Sequence, residues 1–101
     1  MGGSNVTIGD DVLIGAMSYF IGSGPYVSDQ LDVPFKKQGM QAQGGIEVAD
    51  NVWFGSNVQI LDGVSIGTGA IVGTSAVVNK NVAEFSISAG VPAKEIRSRK
   101  A

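Results

Sequence analysis

The sequence predicts an all-β solenoid, a parallel β-helix of short strands, and the main evidence is a period of six residues. An α-helix repeats about every 3.6 residues and a single strand every two, so neither accounts for this period. Six-residue repeats are typical of β-helices, in which equivalent side chains point to one axis. Large apolar residues form one series and smaller ones follow four positions later: Val48, Phe54, Ile60, Ile66, Val72 and Val78, then Val52, Val58, Val64, Ala70, Ala76 and Val82.

Composition supports this architecture. The chain has 101 residues, which is one domain at most, and 44% of them are apolar although only 7% are aromatic. Fifteen are glycine, and Gly55, Gly67 and Gly73 each directly follow a large residue of the first series. A solenoid of few coils has open ends and little interior. We therefore expect lateral self-association to cover more apolar surface.

The period divides the single domain into four segments. Residues 6–21 form about one coil, residues 22–45 break the period with turn formers and charges, residues 46–82 form regular coils, and residues 83–101 leave the pattern again. The interruption is predicted to be a loop inserted at a corner, where such loops usually carry function. The N-terminus is expected to be truncated, with strand edges exposed on the first coil.

The C-terminal segment contains one predicted strand and one open question. Residues 86–89 are predicted to form a short strand and residues 90–92 a turn. Residues 93–101 are compatible with either a short helix or an extended tail.

Composition also allows predictions about metal binding, cellular location and binding partners. The chain has no cysteine, so disulfides and thiolate metal sites are excluded, and no metal is expected. No apolar stretch reaches eighteen residues and no signal pattern begins the chain, so a cytoplasmic protein without a membrane partner is predicted. Residues 94–101 carry a local charge of +3 against −2 for the whole chain. Without interleaved aromatic residues this tail does not indicate nucleic acid, and it is either a solvated terminus or a phosphate contact.

Four segments together resemble the hexapeptide-repeat acyltransferases, most closely the sugar O-acetyltransferases of the galactoside, maltose and nodulation type: residues 8–15, 50–58, 60–67 and the Gly-Val-Pro-Ala-Lys ending at 90–94. The resemblance implies a left-handed β-helix with three faces and about eighteen residues per coil. It also implies a homotrimer that binds acetyl-CoA as acyl donor in the cleft between neighbouring prisms. A loop histidine then deprotonates the hydroxyl of the acceptor, a sugar or a similar molecule.

The chain departs from this pattern at the base, because it contains no histidine. The loop retains Pro34 to Gly39, but the window that holds histidine in relatives has Pro25 and Tyr26 here. Histidine suits this task because its ordinary pKa lies near neutrality, whereas tyrosine titrates near 10 and proline has no side-chain base. Asp29 is a weak substitute, since a carboxylate is a poor base at its ordinary pKa, and it is otherwise a surface residue of the loop.

The resemblance also assigns binding residues, each with a structural alternative. Trp53 precedes an inward Phe54, so alternation points it outward, where it either borders the acceptor pocket or packs in a trimer. The donor's pantetheine arm is expected to pair with backbone groups near Ser56, Thr74 and Asn79, which are otherwise corner residues. Three cations are candidates for its phosphates and are otherwise solvated: Lys80, Lys94 and Arg97.

Two functions therefore remain open. The first is an acyl-CoA-dependent O-acetyltransferase scaffold with doubtful activity, and the second is a catalytically silent trimer that binds a ligand or serves a structural role. The missing histidine favours the second, while Trp53 and the Pro34–Gly39 segment favour a retained ligand site. A γ-carbonic anhydrase, which shares the β-helix, is excluded because its metal ligands are histidines.

Overall fold

The computed structural model describes residues 5–21, 28–39 and 44–100, and this part of the chain contains eleven strands and one short helix. In chain order these elements are β1 Val6–Ile8, β2 Leu13–Ile14, β3 Tyr19–Ile21, α1 Phe35–Gln38, β4 Ile46–Val48, β5 Trp53–Phe54, β6 Gln59–Leu61, β7 Ser65–Ile66, β8 Ile71–Val72, β9 Val77–Val78, β10 Ser86–Ala89 and β11 Lys94–Ser98.

The strands form three sheets, which are the three faces of a prism. The first face is β1-β4-β7, the second is β2-β5-β8-β10-β11 and the third is β3-β6-β9. In the regular coils, successive strands of a face are parallel and 18 residues apart, as in the pairing of Trp53 with Ile71. The first coil pairs with the second at a spacing of 40, Leu13 with Trp53, because the loop lies between them. The fold is the predicted parallel β-helix with an inserted loop.

Both apolar series point into the prism, as the six-residue period predicts. Every member of the two series is buried, from Phe54 at 0% exposure to Val82 at 8%. The rings of Phe20 and Phe54 pack edge to face, with 5.7 Å between their centroids. The core therefore lies along the axis of the prism, where the larger side chains of the first series and the smaller ones of the second form one buried cluster.

Five successive corners of the regular coils turn through a residue in the left-handed backbone region. Asn51, Asn57, Gly63, Gly69 and Ser75 stand six apart and have φ between 55° and 86°. Asparagine and glycine adopt this conformation at little cost, which explains why they directly precede the smaller inward residues. The six-residue period pointed to the glycines after the large residues, but it did not predict this second series.

The C-terminal segment departs from the regular period. Val82 lies beside Ile66 and Ile87 beside Ile71, each only 16 residues away, so the last coil is two residues shorter than the others. Residues 86–89 form the predicted strand and residues 90–93 a turn. The open question about the tail is resolved in favour of the extended form. Residues 94–98 form β11, which pairs antiparallel with β10 and covers its edge.

The first coil is exposed where no further strand stacks on it. Val6, Ile8 and Ile14 are 41–43% exposed although they continue the inward columns. Exposed edges on this coil were expected from the sequence. In the described part of the chain, no helix has the length and apolar character needed to cross a membrane.

Candidate functional site

Trp53 lies on the outer side of the second face. Strand alternation buries its neighbour Phe54 completely and leaves the indole 55% exposed, as the sequence predicted. The register places Leu13 on one side of Trp53 and Ile71 on the other. A surface groove of about 370 Å³ opens beside the indole, lined by Leu13, Ile14, Gly15, Trp53, Phe54, Gly55, Ser56 and Thr74; we call it the Trp53 groove.

The polar wall of this groove is a corner where two coils approach closely. The backbone N–H of Ser56 donates to Thr74 Oγ1 at 3.3 Å. A Cβ on Gly55 would lie 2.6 Å from the same oxygen and 2.7 Å from the Thr74 nitrogen, so only glycine permits this approach. Ser56 and Thr74 are both exposed. The structure thus brings together three predicted site residues: Trp53, Ser56 and Thr74.

The C-terminal cations divide into two groups. Lys94 pairs with Ala89 and Arg97 with Ile87, so both cations lie on the outer side of the second face, the side of Trp53. Arg99 donates to the Gly69 carbonyl, and Lys100 lies 3.6 Å from Glu84 and over the ring of Phe85. Lys94 and Arg97 have no such partner among the described residues. These two cations remain available for a ligand.

Two further predicted residues lie elsewhere. Asn79 and Lys80 are exposed at the corner between the third face and the first, next to Val78 at the end of β9. Within one chain they therefore lie on a different edge of the prism from the Trp53 groove.

The loop is ordered around Gln38, whose role the sequence did not predict. Its amide nitrogen donates to the carbonyls of Val33 and Gln30 at 2.6 and 2.9 Å, and its Oε1 accepts from the Gln30 N–H. This cross-link closes the turn between Gln30 and Gln38, and Asp29, which directly precedes it, is exposed. Pro25 and Tyr26, the histidine window, lie outside the described residues. In the described ranges, no three acidic side chains lie close enough together to hold a metal ion.

The apolar stripe on the outer side of the second face was also missed. The register aligns Leu13, Trp53, Ile71 and Ile87 across four neighbouring strands. The corresponding outer positions on the first face are polar, Thr7, Glu47 and Ser65. The sequence does contain evidence for this stripe, because on the second face the residue before each inward position is itself apolar.

Two family models match the chain. The model described as bacterial transferase hexapeptide (six repeats) matches residues 45–80, and the hexapeptide repeat of succinyl-transferase matches residues 5–24. No curated protein sequence matches the chain significantly.

Solved structures with this fold include several acetyltransferases. A hexapeptide-repeat-containing acetyltransferase of Vibrio cholerae in complex with acetyl coenzyme A is 36% identical with a TM-score of 0.79, and the match covers 95% of this chain and 50% of that one. A galactoside acetyltransferase in complex with coenzyme A is also 36% identical, with a TM-score of 0.82 and coverage of 94% and 46%. A maltose O-acetyltransferase from Clostridium difficile, at 24% identity, a TM-score of 0.73 and coverage of 95% and 49%, shares the fold.

These neighbours define the hand of the coil. The fold is the left-handed parallel β-helix, the exception to the right-handed rule for parallel crossovers. The chain spans about half the length of the first two structures.

Proposed function

Because the chain belongs to the hexapeptide-repeat acyltransferase family, as its repeats predicted, we propose that it is an acyl-CoA-dependent O-acetyltransferase scaffold for a sugar or similar hydroxyl acceptor. The observation that carries the proposal is the arrangement of the second face. Its outer side has the Trp53 groove at one end and two cations, Lys94 and Arg97, at the other, and neither cation is paired with another described residue.

This arrangement matches the chemistry of an acyl-CoA. Three strand spacings separate Trp53 from Arg97 through Ile71 and Ile87, which is about 14 Å at the usual spacing of strands. An extended arm with two amide units spans such a distance, with the acyl group at the apolar end and the phosphates at the cationic end. The neighbouring acetyltransferase structures hold acetyl coenzyme A or coenzyme A.

The proposal includes a homotrimer in the cytoplasm. The stripe of Leu13, Trp53, Ile71 and Ile87 leaves apolar surface on one face of the monomer, which the donor and a neighbouring prism would cover together. In a cleft between two prisms, Asn79 and Lys80 of one copy would face the groove of the next. A monomer in light scattering across micromolar concentrations would contradict this arrangement.

Binding is the first property to test, and the chain offers a built-in probe because Trp53 is its single tryptophan. Titration with acetyl-CoA should change the Trp53 fluorescence and give a calorimetric affinity near micromolar. Trp53→Ala should weaken this affinity by about tenfold, since a buried aromatic contact contributes a kcal/mol or more. Tyr19→Ala removes an aromatic side chain that is 49% exposed on the third face, and it should leave the affinity unchanged. No binding at millimolar acetyl-CoA would refute the proposal.

Turnover is expected to be slow because no residue of the chain is a histidine. A positioned general base usually contributes about 10²–10⁴-fold. Tyr26→His or Pro25→His should therefore raise the rate of acetyl transfer at least about tenfold and leave the affinity for acetyl-CoA unchanged. If the native chain already turns over at ordinary enzyme rates, another base acts, and Asp29→Asn is the variant that tests it.

The missing histidine also favours a second function, a catalytically silent trimer that retains the ligand site. This alternative predicts acetyl-CoA binding without transfer to any hydroxyl acceptor, both in the native chain and after Tyr26→His. The two functions are thus separated by the response to the introduced base.

A further inference from the structure

Strand β11 contains a bulge that changes which side chains share a face. In its antiparallel pairing with β10, Glu95 lies opposite Ser88 and Arg97 lies opposite Ile87, so Ile96 is the extra residue between them. A bulge of this kind inserts one residue into one strand and shifts the alternation of the side chains beyond it.

The shift decides where Arg97 points. Lys94 and Arg97 are three residues apart, and in a regular strand they would face opposite sides of the sheet. With the extra residue, both lie opposite outward residues of β10, Ala89 and Ile87. The nearest acidic residue of the strand, Glu95, lies opposite the inward Ser88 and so on the other side of the sheet. The outer side therefore carries two cations without an intervening carboxylate.

The bulge is held between two anchors. Before it, the backbone N–H of Ala93 donates to the Val77 carbonyl at 2.8 Å. Beyond it, the backbone N–H of Arg99 donates to the Phe85 carbonyl at 2.6 Å, and the Arg99 guanidinium donates to the Gly69 carbonyl. Between the anchors β11 has one residue more than regular pairing with β10 requires. The position of the second anchor, Arg99, thus fixes the register that turns Arg97 outward.

We infer that Arg99 is a positioning residue for ligand binding, which acts through the Ile96 bulge to hold Arg97 beside Lys94 as a paired cationic site for the phosphate groups of the donor. This inference rests on the proposed function. It separates the tail cations by role: Lys94 and Arg97 contact the phosphates, whereas Arg99 sets the strand and contacts no ligand. Two unpaired cations on one side of a sheet suit a group with several negative charges.

Calorimetric titration with CoA tests each part. Arg97→Ala should weaken CoA binding by about tenfold or more, the usual value of a charge-assisted hydrogen bond. Arg99→Ala should weaken it severalfold, because only the backbone contact with Phe85 then holds the second anchor, and β11 moves more readily into regular pairing, in which Ile96 replaces Arg97 opposite Ile87. Lys100→Ala is the matched control, since it removes the same charge from the same tail, and the affinity should stay within about twofold.

Deletion of Ile96 distinguishes positioning from a general loss of structure. Without the extra residue, regular pairing itself places Arg97 opposite Ile87, so the deletion alone should leave CoA affinity within about twofold. In the Arg99→Ala background the same deletion should restore most of the lost affinity. Arg97→Ala combined with Arg99→Ala should bind no more weakly than Arg97→Ala alone, because one residue acts through the other.

The outcomes separate this inference from the proposed function. If native protein fails to bind CoA at millimolar concentration, the proposed function is wrong, and the inference falls with it. If CoA binds but Arg97→Ala leaves the affinity unchanged, the cationic site is wrong and the scaffold proposal stands. If the Ile96 deletion fails to restore binding in folded Arg99→Ala protein, as judged by circular dichroism, the role of the bulge is overturned.

Discussion

The inward-facing side chains at the two ends of the prism differ in both polarity and exposure. At the first coil, the apolar Val6, Ile8 and Ile14 occupy inward positions and are still 41–43% exposed. At the other end, Ser86 and Ser88 occupy the inward positions of β10 and are 1% and 4% exposed. Burial therefore follows the presence of a neighbouring strand and corner more closely than it follows the hydrophobicity of the residue.

The C-terminal end is closed by side chains that the repeat does not supply. Phe85 has a φ of 56°, in a region that bulky residues rarely adopt, and its ring packs against the backbone of Gly69. Contacts from Arg99 and Lys100 hold this residue in place: a backbone hydrogen bond to its carbonyl and an ammonium group 5.1 Å from its ring. The first coil has no equivalent of this closure among the described residues.

The sharpest test of the comparison uses one residue type in one column. Ile8, Val48 and Ile66 are stacked by the register, but Ile66 is 2% exposed and Ile8 is 42% exposed. Ile66→Ala should lower the free energy of unfolding by about 2–5 kcal/mol, the usual cost of such a cavity. Ile8→Ala should lower it by less than about half as much, because less of its area leaves water on folding and no packed cavity is created. Equal losses in urea denaturation would show that the first coil is packed as tightly as the rest.

Substitution of Gly69, which lies beneath the ring of Phe85, tests how this ring closes the C-terminal end. A Cβ on Gly69 would lie 2.5 Å from the ring, and the φ of +72° disfavours any side chain. Gly69→Ala should therefore cost about 2–4 kcal/mol of unfolding free energy, as backbone strain and overpacking together. A cost of no more than about 1 kcal/mol, which the left-handed backbone conformation alone accounts for, would rule out the ring contact as a stabilising feature.

Removal of the Ser18 hydroxyl group tests how strongly the first coil is bound to the second. Ser18 Oγ donates to the Gly55 carbonyl and accepts from the Val58 N–H, both at 3.2 Å, and so links the first coil to the second. Ser18→Ala should cost about 1–2 kcal/mol, because two partly buried backbone groups lose their partner. Amide hydrogen exchange should quicken in residues 5–21 first. Ser98→Ala, which loses one exposed contact, should change stability by no more than about 0.5 kcal/mol.

The smallest effect is expected at the surface of the closed end. Lys100 and Glu84 are 3.6 Å apart, and their side chains are 62% and 63% exposed. Lys100→Ala should lower stability by less than about 1 kcal/mol, and about 1 M salt should abolish most of the difference. A larger, salt-resistant loss in thermal denaturation would assign the contribution to the contact between Lys100 and the Phe85 ring.

Much of the prism could be predicted from the sequence, because every coil needs apolar side chains of similar size at the same inward positions. The spacing of Val48, Phe54 and Ile60 was sufficient to place these residues in the core, and alternation was sufficient to place Trp53 outside it. The handedness came from resemblance, since no local preference of these residues specifies it.

What the sequence did not reveal depends on contacts between distant segments. The two-residue shortening at Val82 keeps an apolar residue in the interior, so the pattern looks unbroken there. The strand at Lys94–Ser98 has weak β-propensity and forms because the edge of β10 is free to pair with it. The resemblance grouped Lys94 with Arg97, but no spacing rule indicates the bulge that places both residues on one side of the sheet.

The loop inserted after β3 affects how the sequence of such a protein can evolve. Paired positions are 40 residues apart across this loop and 18 apart between the regular coils, so the prism accommodates 22 additional residues without a change in register. Lineages can therefore lengthen, shorten or exchange this segment as one inherited module while the coils on either side keep their sequence constraints. The scaffold and the loop are then free to diverge at different rates, and the loop is the part with the greater freedom.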